Sequence, residues 1–272
     1  MRAQPSNEHY RHRYLFGDSD VAARRLEFLA QVFAQSTKAL LTDAGVGAPA
    51  HAVDLGCGPG YTTRFLAQTL GCQRVSGLDN SQDFVSLARS LTHDREGENI
   101  SFHLHDITKV PFPVGPANLL YCRFLITHLA EPEATVSAWA TQLESIGYLL
   151  MEEAEWIDTS LSVFTDYIEM TEAMLASQSN SLYPGEWLDK LEDTDRLKRR
   201  LSRVYRLSVN NADAATMFYL NLQSLKDHPF IRANYAATEI QRMEQALLNL
   251  SQTPGSEGRI EWGMRQLVLQ GI

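Results

Sequence analysis

The sequence predicts an α/β fold: a doubly wound, mostly parallel seven-stranded sheet with a helical N-terminal cap and helical insertions. Strand-like and helix-like segments alternate between residues 46 and 156, and such alternation is typical of parallel strands covered by helices on both faces. The stretch VDLGCGPG contains the end of the first strand-like segment and the glycine-rich turn that follows it. After residue 156 the alternation stops, and longer helical stretches precede a last strand-like run, RIEWGMRQLVLQ.

The N-terminal cap, residues 1–45, is predicted from one helical pattern. Residues 1–17 are polar and aromatic without a clear period, whereas the apolar residues between positions 26 and 33 recur at helical spacing. Ser19 is suited to cap this helix and Gly45 to end it. A single helix is therefore expected from residue 19 to residue 45.

The α/β core, residues 46–156, contains five predicted strands. In chain order they read HAVDL, RVSGLDN, ISFHLHDI, ANLLYCRF and YLLMEEAEW. The predicted helices between them read YTTRFLAQTLG, SQDFVSLARSL and EPEATVSAWATQLESIG. The last of these has Pro132 in its first turn and Gly147 after its end, which are the positions that the two residue types favour.

The remaining residues are divided into two parts. Residues 157–200 are predicted to form a helical lid over a substrate pocket, because one helical face there carries Tyr167, Met170 and other apolar residues. Residues 201–272 are predicted to complete the sheet, with an insertion of two helices over roughly 212–226 and 232–250.

Charge and cysteine content narrow the function classes. The 272 residues carry a net charge of −9, which disfavours a nucleic-acid or membrane-surface binder because phosphate affinity needs clustered positive charge. The sequence shows neither a spanning apolar segment nor an N-terminal apolar core of signal-peptide type. The three cysteines have no metal-ligand spacing, and a sparse, odd number is typical of a reducing compartment. We therefore expect a cytoplasmic monomer or homodimer with no nucleic-acid partner, no membrane partner and no metal.

The glycine turn distinguishes between two kinds of nucleotide site. A dinucleotide fingerprint, G-x-G-x-x-G, that starts at Gly56 requires a third glycine at position 61, which is occupied by Tyr61. The turn instead reads G-x-G-x-G and follows Asp54, while the second strand ends in another acid, Asp79. An acid at that position accepts hydrogen bonds from ribose hydroxyls. A nicotinamide dehydrogenase is therefore disfavoured.

The motifs VDLGCGPG, GLDNS and HDI, in this order, resemble those of the class I S-adenosylmethionine-dependent methyltransferases. The segments YLFGDSDVAARRL and HLAEPEATVSAWATQLESIGYLLMEEAEW resemble a branch of that family that acts on small molecules. The resemblance follows the whole chain and is strongest over residues 51–156. It implies a Rossmann-like methyltransferase fold, S-adenosyl-L-methionine as cofactor, S-adenosyl-L-homocysteine as product and a small-molecule substrate. The cofactor-binding residues that it implies are Tyr14, Arg25, Asp54, Gly56, Cys57, Gly58, Gly60, Asp79, Asn80, Asp106, Ile107 and Arg123.

The chemistry of methyl transfer suggests further candidates. A methyl group on a positive sulfur is already activated, so such an enzyme mainly aligns two reactants. The expected catalytic residues are His128 as a base, with Arg123 and Tyr14 at the methionine end of the cofactor; Glu153 and Glu155 are the next candidates for the base. The expected substrate-pocket residues are Phe16, Phe124, His128, Trp156, Tyr167, Met170 and Tyr183.

The expected function is methyl transfer to an oxygen or nitrogen, and less favourably a carbon, of a small organic molecule in secondary metabolism. Two alternatives stay open. The cofactor could promote a rearrangement or cyclisation without losing its methyl group, because a fold does not specify one reaction. The chain could also be a non-catalytic binding module. A nucleophilic role for Cys122 and a metal site at His103 and His105 are disfavoured, because neither has the neighbours in sequence that such sites require.

Overall fold

A computed structural model describes residues 20–93 and 99–272, so the candidates Tyr14, Phe16 and Ser19 lie outside the described residues. Ten helices and seven strands are found in this part of the chain, with a 3₁₀ turn at Ile126–His128. The helices are α1 Asp20–Val32, α2 Ala34–Ala44, α3 Tyr61–Leu70, α4 Gln82–His93, α5 Pro132–Ala140, α6 Ser162–Ala176, α7 Gly185–Lys190, α8 Asn211–Leu225, α9 Pro229–Asn234 and α10 Ala237–Ser251. The strands are β1 His51–Leu55, β2 Arg74–Asp79, β3 Ile100–Leu104, β4 Ala117–Arg123, β5 Leu143–Thr159, β6 Leu197–Val209 and β7 Ile260–Gly271.

The seven strands form one sheet in the order β3-β2-β1-β4-β5-β7-β6. Strands β1 to β5 pair in parallel, and β7 runs antiparallel to both of its neighbours, β5 and β6. The mostly parallel, doubly wound sheet is thus confirmed. The strand order reverses between β1 and β4, and in sheets of this type the ligand crevice lies at the carboxyl ends of the strands beside that reversal.

The N-terminal cap differs from its prediction, because the expected single helix is two helices. They are separated at Phe33, whose backbone leaves helical geometry (φ −92°, ψ 4°). The Phe33 ring is 1% exposed and packs edge-on against the rings of Phe124 and Trp262. Burial of this ring sets the direction of the chain, which propensity alone does not reveal. Gly45 ends α2 in the left-handed conformation, as expected.

The segment between α5 and β5 is also corrected. Helix α5 ends at Ala140 rather than before Gly147, and β5 begins at Leu143, which pairs with Ala117 of β4. The side chain of Gln142 accepts a hydrogen bond from the backbone of Phe112 (2.8 Å), and this contact favours strand pairing over a further helical turn. Strand β5 then runs to Thr159, so the boundary expected after residue 156 falls inside a strand.

A layer of helices packs beside the part of the sheet that β5, β7 and β6 form. Helix α6, from the expected lid, shares a buried apolar core with α8 and α10, from the expected completion of the sheet. Residues on β7 and the Phe33 ring belong to the same core. Among the helices of the described ranges, none is long and apolar enough to cross a membrane.

Candidate active site

A cavity of about 810 Å³ lies at the carboxyl ends of the central strands. The glycine turn and the loops after β2, β3 and β4 form one half, and α6, α8 and the start of β7 form the other. Its volume falls within the ~300–1,000 Å³ of ordinary small-molecule sites. The sheet position and the size both indicate a ligand-binding site.

The glycine turn approaches the cavity with backbone rather than side chains. Gly56 and Gly58 line the cavity with φ values of 68° and 51°, a region that side chains other than glycine rarely adopt. A Cβ on Gly56 would lie 2.7 Å from the Cδ1 atom of Leu125, and one on Gly58 would lie 3.3 Å from the Cδ1 atom of Leu26. The turn therefore presents main chain to the cavity, and Leu125 and Leu26 pack closely against its first two glycines.

Gly60 has a different environment from the other two glycines and does not line the cavity. A Cβ on Gly60 would lie 2.4 Å from the Phe102 ring and 3.2 Å from the Cβ of Ala88. Its positive φ, 76°, starts helix α3 and brings this helix close to β3 and α4. The structure thus corrects the expected position of Gly60: it serves helix–sheet packing.

Two acids face the turn. The carboxylate of Asp79 accepts hydrogen bonds from the backbone N–H groups of Gly58 and Ser81, both at 2.8 Å. Asp54 is buried under the turn and accepts a 2.6 Å hydrogen bond from the hydroxyl of Thr63. Burial raises the pKa of Asp54 to about 7, although the Thr63 bond opposes this shift.

The loop after β3 provides the far end of this half. Asp106 lines the cavity, and its carboxylate accepts hydrogen bonds from the backbone and hydroxyl of Thr108. Desolvation is the largest single effect and raises its pKa, but the hydrogen bonds from Thr108 and Lys109 and the charge of Lys109 together lower the pKa. Ile107 presents an apolar surface beside it, and its carbonyl accepts a hydrogen bond from the Trp139 indole (2.8 Å). Asn80 and Cys57 line the same half.

Arg123 lies where β4 ends, between the two halves. Its guanidinium donates hydrogen bonds to the hydroxyls of Thr37 (2.8 Å) and Thr62 (3.3 Å). The same group lies over the rings of Phe33 (5.8 Å) and Phe124 (5.7 Å), which is within cation–π range. Its orientation is thus set by α2, α3 and two aromatic rings.

A buried polar network behind Arg123 was not predicted. Glu152 of β5 is fully buried and accepts hydrogen bonds from Ser36, from Thr37 (2.8 Å) and from the Tyr121 hydroxyl (3.1 Å). Gln266 of β7 donates to Glu152 and to the carbonyl of Ser36. The network joins α2 to the sheet and ends at Arg123 through Thr37. An acid in an apolar strand was the available sequence signal.

Arg25 and His128 both line the cavity, and their side chains interact electrostatically. Arg25 of α1 is 4% exposed, and His128 ends the 3₁₀ turn. Burial, and after it the charge of Arg25, lower the pKa of His128 to about 4. The imidazole is therefore uncharged at neutral pH and is a weak base.

The pKa of Glu153 is shifted in the opposite direction from that of His128. Glu153 is 1% exposed, lines the cavity, and its Oε1 atom accepts hydrogen bonds from the backbone N–H groups of Leu125 (2.7 Å) and Ile126 (2.9 Å). Burial raises its pKa to about 8 despite these bonds. Glu153 thus holds the turn that carries His128 and titrates near neutral pH. Glu155 instead pairs with Arg265 and does not line the cavity.

The expected substrate residues divide into two groups. Phe124, His128 and Tyr167 line the cavity, whereas Trp156, Met170 and Tyr183 do not. A bulge in β5 between Ala154 and Trp156 shifts the strand register, and the Trp156 ring packs on Gly263 beneath Arg206.

Met170 and Tyr183, also expected in the substrate pocket, lie outside the cavity lining for two different reasons. Met170 is fully buried in the core, because the face of α6 that lines the cavity runs through Tyr167, Thr171 and Leu175. Tyr183 lies between two residues that line the cavity but is itself outside the lining.

The second half of the cavity, called the aromatic compartment below, is built by side chains from β5, α6, α8 and β7, from the loop after β4 and from the Phe33 turn. Most of them were not predicted as pocket residues, because each is a single apolar residue in an apolar stretch. Its residues are Phe33, Phe124, Ile157, Tyr167, Ile168, Thr171, Leu175, Met217, Phe218, Asn221 and Trp262.

Two disfavoured sites receive no support in the described structure. Cys122 is fully buried, and burial raises the pKa of its thiol well above the ordinary value, so a thiolate is disfavoured. Within residues 20–93 and 99–272, no three His, Cys, Asp or Glu side chains are grouped closely enough to hold a metal ion.

Comparison with known proteins shows a methyltransferase domain in the first part of the sheet. Residues 52–147 match a family model described as a methyltransferase domain. The trans-aconitate 2-methyltransferase of Delftia acidovorans is 35% identical over 105 residues, which cover 38% of this chain and 37% of that protein. The first curated relatives are matched over only 37% to 54% of their own lengths.

Solved structures share the fold over most of the chain. Coclaurine N-methyltransferase, bound to N-methylheliamine and SAH, has a TM-score of 0.52 at 16% identity and is covered over 72% of its length by 87% of this chain. The cyclase SpnF has a TM-score of 0.56 at 14% identity, with 88% of this chain and 82% of that chain covered. Residues 52–147 therefore contain a methyltransferase domain, within a chain that has the seven-stranded fold of the class I S-adenosylmethionine-dependent methyltransferases.

Proposed function

We propose that this protein transfers a methyl group from S-adenosyl-L-methionine to an oxygen or nitrogen of a small organic molecule. The observation that carries the proposal is a single cavity in which a backbone-lined half with two acids meets an aromatic half at Arg123. A cofactor and an acceptor would thus lie side by side, and alignment of two reactants is the main source of rate in such a reaction.

The residues of the first half fit the cofactor. Gly56 and Gly58 present main chain to the cavity, and the carboxylate of Asp79 is an acceptor suited to ribose hydroxyls. Asp106 and Ile107 offer an acceptor and an apolar face at the adenine end. When bound, the cofactor supplies an activated methyl group on a positive sulfur. The expected roles of Arg25, Arg123 and the N-terminal Tyr14 at its methionine end stay predictions.

Activation of the acceptor is the second part of the proposal. A hydroxyl acceptor must lose its proton, and an effective base has a pKa near the working pH. Glu153, whose pKa is about 8, satisfies this condition better than His128, whose pKa is about 4. One carboxylate oxygen of Glu153 is committed to the turn after Phe124. We therefore assign the base to Glu153 and a neutral, cavity-lining role to His128.

The alternative is a reaction that keeps the methyl group on the cofactor. It is retained because the cyclase SpnF has the same fold, and a fold does not specify one reaction. Product mass separates the two functions: methyl transfer adds one methyl group to the acceptor, whereas rearrangement or cyclisation adds none.

The test of the cofactor assignment is calorimetric titration with S-adenosylhomocysteine, with NAD as the control ligand. We expect binding of the first and none of the second. The variant Asp79→Ala should bind S-adenosylhomocysteine more than tenfold more weakly, because a hydrogen bond to a charged acceptor contributes about 1.5–3 kcal/mol. The exposed Asp83→Ala, on α4 outside the cavity, is the matched control and should bind normally. Equal weakening in both variants would contradict the role of Asp79.

A further inference from the structure

We propose that the aromatic compartment binds an uncharged aromatic molecule that carries a hydrogen-bond donor. The inference rests on the proposed function, because that function makes this half of the cavity the acceptor site. It is argued from the arrangement of the rings, the distribution of charge along the cavity and one buried polar group.

The rings of the compartment form a continuous series. Phe33 meets Phe124 edge-to-face at 4.9 Å between centroids and meets Trp262 in the same way at 5.8 Å. Phe218 lies 5.8 Å from Trp262 and stacks on Tyr167 at 4.3 Å. Aromatic pairs prefer edge-to-face and offset-stacked geometries, and all of these rings line the cavity. A flat, aromatic ligand can extend the series with contacts of the same kind.

Charge is distributed unevenly along the cavity. The eleven residues of the aromatic compartment are all uncharged. The charged side chains that line the rest of the cavity within the described ranges are Arg25, Asp54, Asp79, Asp106, Arg123, Glu131 and Glu153.

An ionised acceptor therefore gains little from the compartment itself. A charge that leaves water without a partner costs several kcal/mol, so an ionised ligand is disfavoured there. Arg123 is engaged by Thr37 and Thr62. The charge of Arg25 lowers the pKa of His128, and on Tyr167 it is the smallest of the effects on the hydroxyl. An uncharged ligand avoids the desolvation cost.

One polar group in the compartment favours a ligand with a donor. The amide N–H of Asn221 donates to the hydroxyl of Tyr167, and within the described residues the buried Oδ1 atom of Asn221 has no hydrogen-bond partner. A buried acceptor without a partner is unfavourable. A hydroxyl or N–H group on the ligand would satisfy it after a small rotation of the amide.

The test uses three naphthalene derivatives that differ in one group: 2-naphthol, 2-methoxynaphthalene and 2-naphthoate. Each is titrated into the protein saturated with S-adenosylhomocysteine, so that no turnover occurs. We expect 2-naphthol to bind about tenfold or more tighter than 2-naphthoate, because the latter must bring a charge into an uncharged compartment. Equal or tighter binding of 2-naphthoate overturns the proposal, as does the absence of binding by all three compounds.

Matched variants locate the binding. Phe218→Leu should weaken the binding of 2-naphthol, whereas Phe230→Leu, the same change at a core-packed ring outside the cavity, should not. Asn221→Leu should remove the preference for 2-naphthol over 2-methoxynaphthalene, which we expect to be about five- to tenfold in the unaltered protein. Equal weakening by both Phe→Leu variants, or a preference that survives in Asn221→Leu, overturns the assignment.

Failure of this inference and failure of the proposed function give different results. If S-adenosylhomocysteine does not bind, the proposed function fails, and the three compounds are then titrated into the cofactor-free protein. Preferential binding of 2-naphthol in that experiment still supports an aromatic compartment, and its absence overturns it.

Discussion

Burial moves the pKa values of Glu153 and His128 in opposite directions along the same cavity wall. The carboxyl of Glu153 is raised to about 8 and the imidazole of His128 is lowered to about 4, because burial disfavours the charged form of each. Residue type alone suggested the reverse assignment, since histidine is the commonest proton-transfer residue. Local desolvation decides between them, and desolvation is a property of the folded chain.

The first prediction concerns the pH dependence of turnover with a phenolic acceptor. If Glu153 is the base, kcat should rise with pH and level off above about 8 as its carboxyl ionises. Glu153→Gln keeps an oxygen that can accept the two backbone hydrogen bonds, but it cannot take a proton. We expect it to lower kcat by about 10²- to 10⁴-fold and to remove this rise.

Two further variants complete the kinetic experiment. Glu155→Gln, at an acid that pairs with Arg265 outside the cavity, should keep the rise with pH. His128→Ala should also keep it. A rise that persists in Glu153→Gln and disappears in His128→Ala would return the base to His128.

Helix α3 shows how one glycine turn serves two purposes. Gly56 and Gly58, in the turn before the helix, line the cavity with main chain, whereas Gly60 allows α3 to pack against the Phe102 ring. The G-x-G-x-G spacing identified the turn, but spacing alone does not say which glycine faces ligand and which faces protein. That distinction depends on β3 and α4, which approach the turn from elsewhere in the chain.

A pair of substitutions separates these contributions. Gly60→Ala and Gly71→Ala both place a Cβ at a left-handed residue flanking α3, but only the first Cβ meets other atoms within 4 Å. Gly71→Ala should lower the free energy of unfolding by about 1–2 kcal/mol through backbone strain. Gly60→Ala should cost an additional ~1–3 kcal/mol through overpacking against Phe102. Urea denaturation measures both, and equal losses would show that the contact with Phe102 relaxes freely.

The overall topology was predictable, because alternating strand and helix patterns allow few parallel arrangements. Local departures from this regular pattern were not predictable. Phe33 breaks the N-terminal helix because its ring is buried among distant rings, and a bulge in β5 turns Trp156 away from the cavity. The half of the cavity beside the glycine turn follows from loops at strand ends, which the sequence marks with glycines and acids. The aromatic compartment follows from the packing of α6 and α8, for which helical periodicity gives a face but not its partner.

The stability of the whole molecule should depend on pH through these buried groups. Between about pH 6.5 and about pH 8 the unfolded Glu153 is ionised, while the folded carboxyl keeps its proton until the pH passes about 8. The folded state then binds more protons, so stability should fall as pH rises, by up to about 1.4 kcal/mol per pH unit. Asp54 contributes in the same direction until about pH 7. Below the ordinary pKa of histidine, His128 opposes this trend, because only its unfolded form binds a proton down to about pH 4.

Urea denaturation at a series of pH values, without cofactor, measures this dependence. The unaltered protein should lose stability from about pH 6.5 to about pH 8, and Glu153→Gln should lose less over the same interval. Stability that increases with pH in this interval, or an equal loss in Glu153→Gln, would contradict the raised pKa of Glu153.

The position of β7 has a consequence for the order in which the protein is made. This strand is the last of the seven along the chain, yet it lies between β5 and β6 and pairs with both along its length. While the ribosome is still adding residues, β5 presents an unpaired apolar edge and β6 has no neighbour. Nascent chains therefore spend the time needed to synthesise α8, α9 and α10 with an edge that favours intermolecular pairing. Slow elongation through residues 211–251 would lengthen this exposure, so the yield of folded protein should depend on translation speed in that segment.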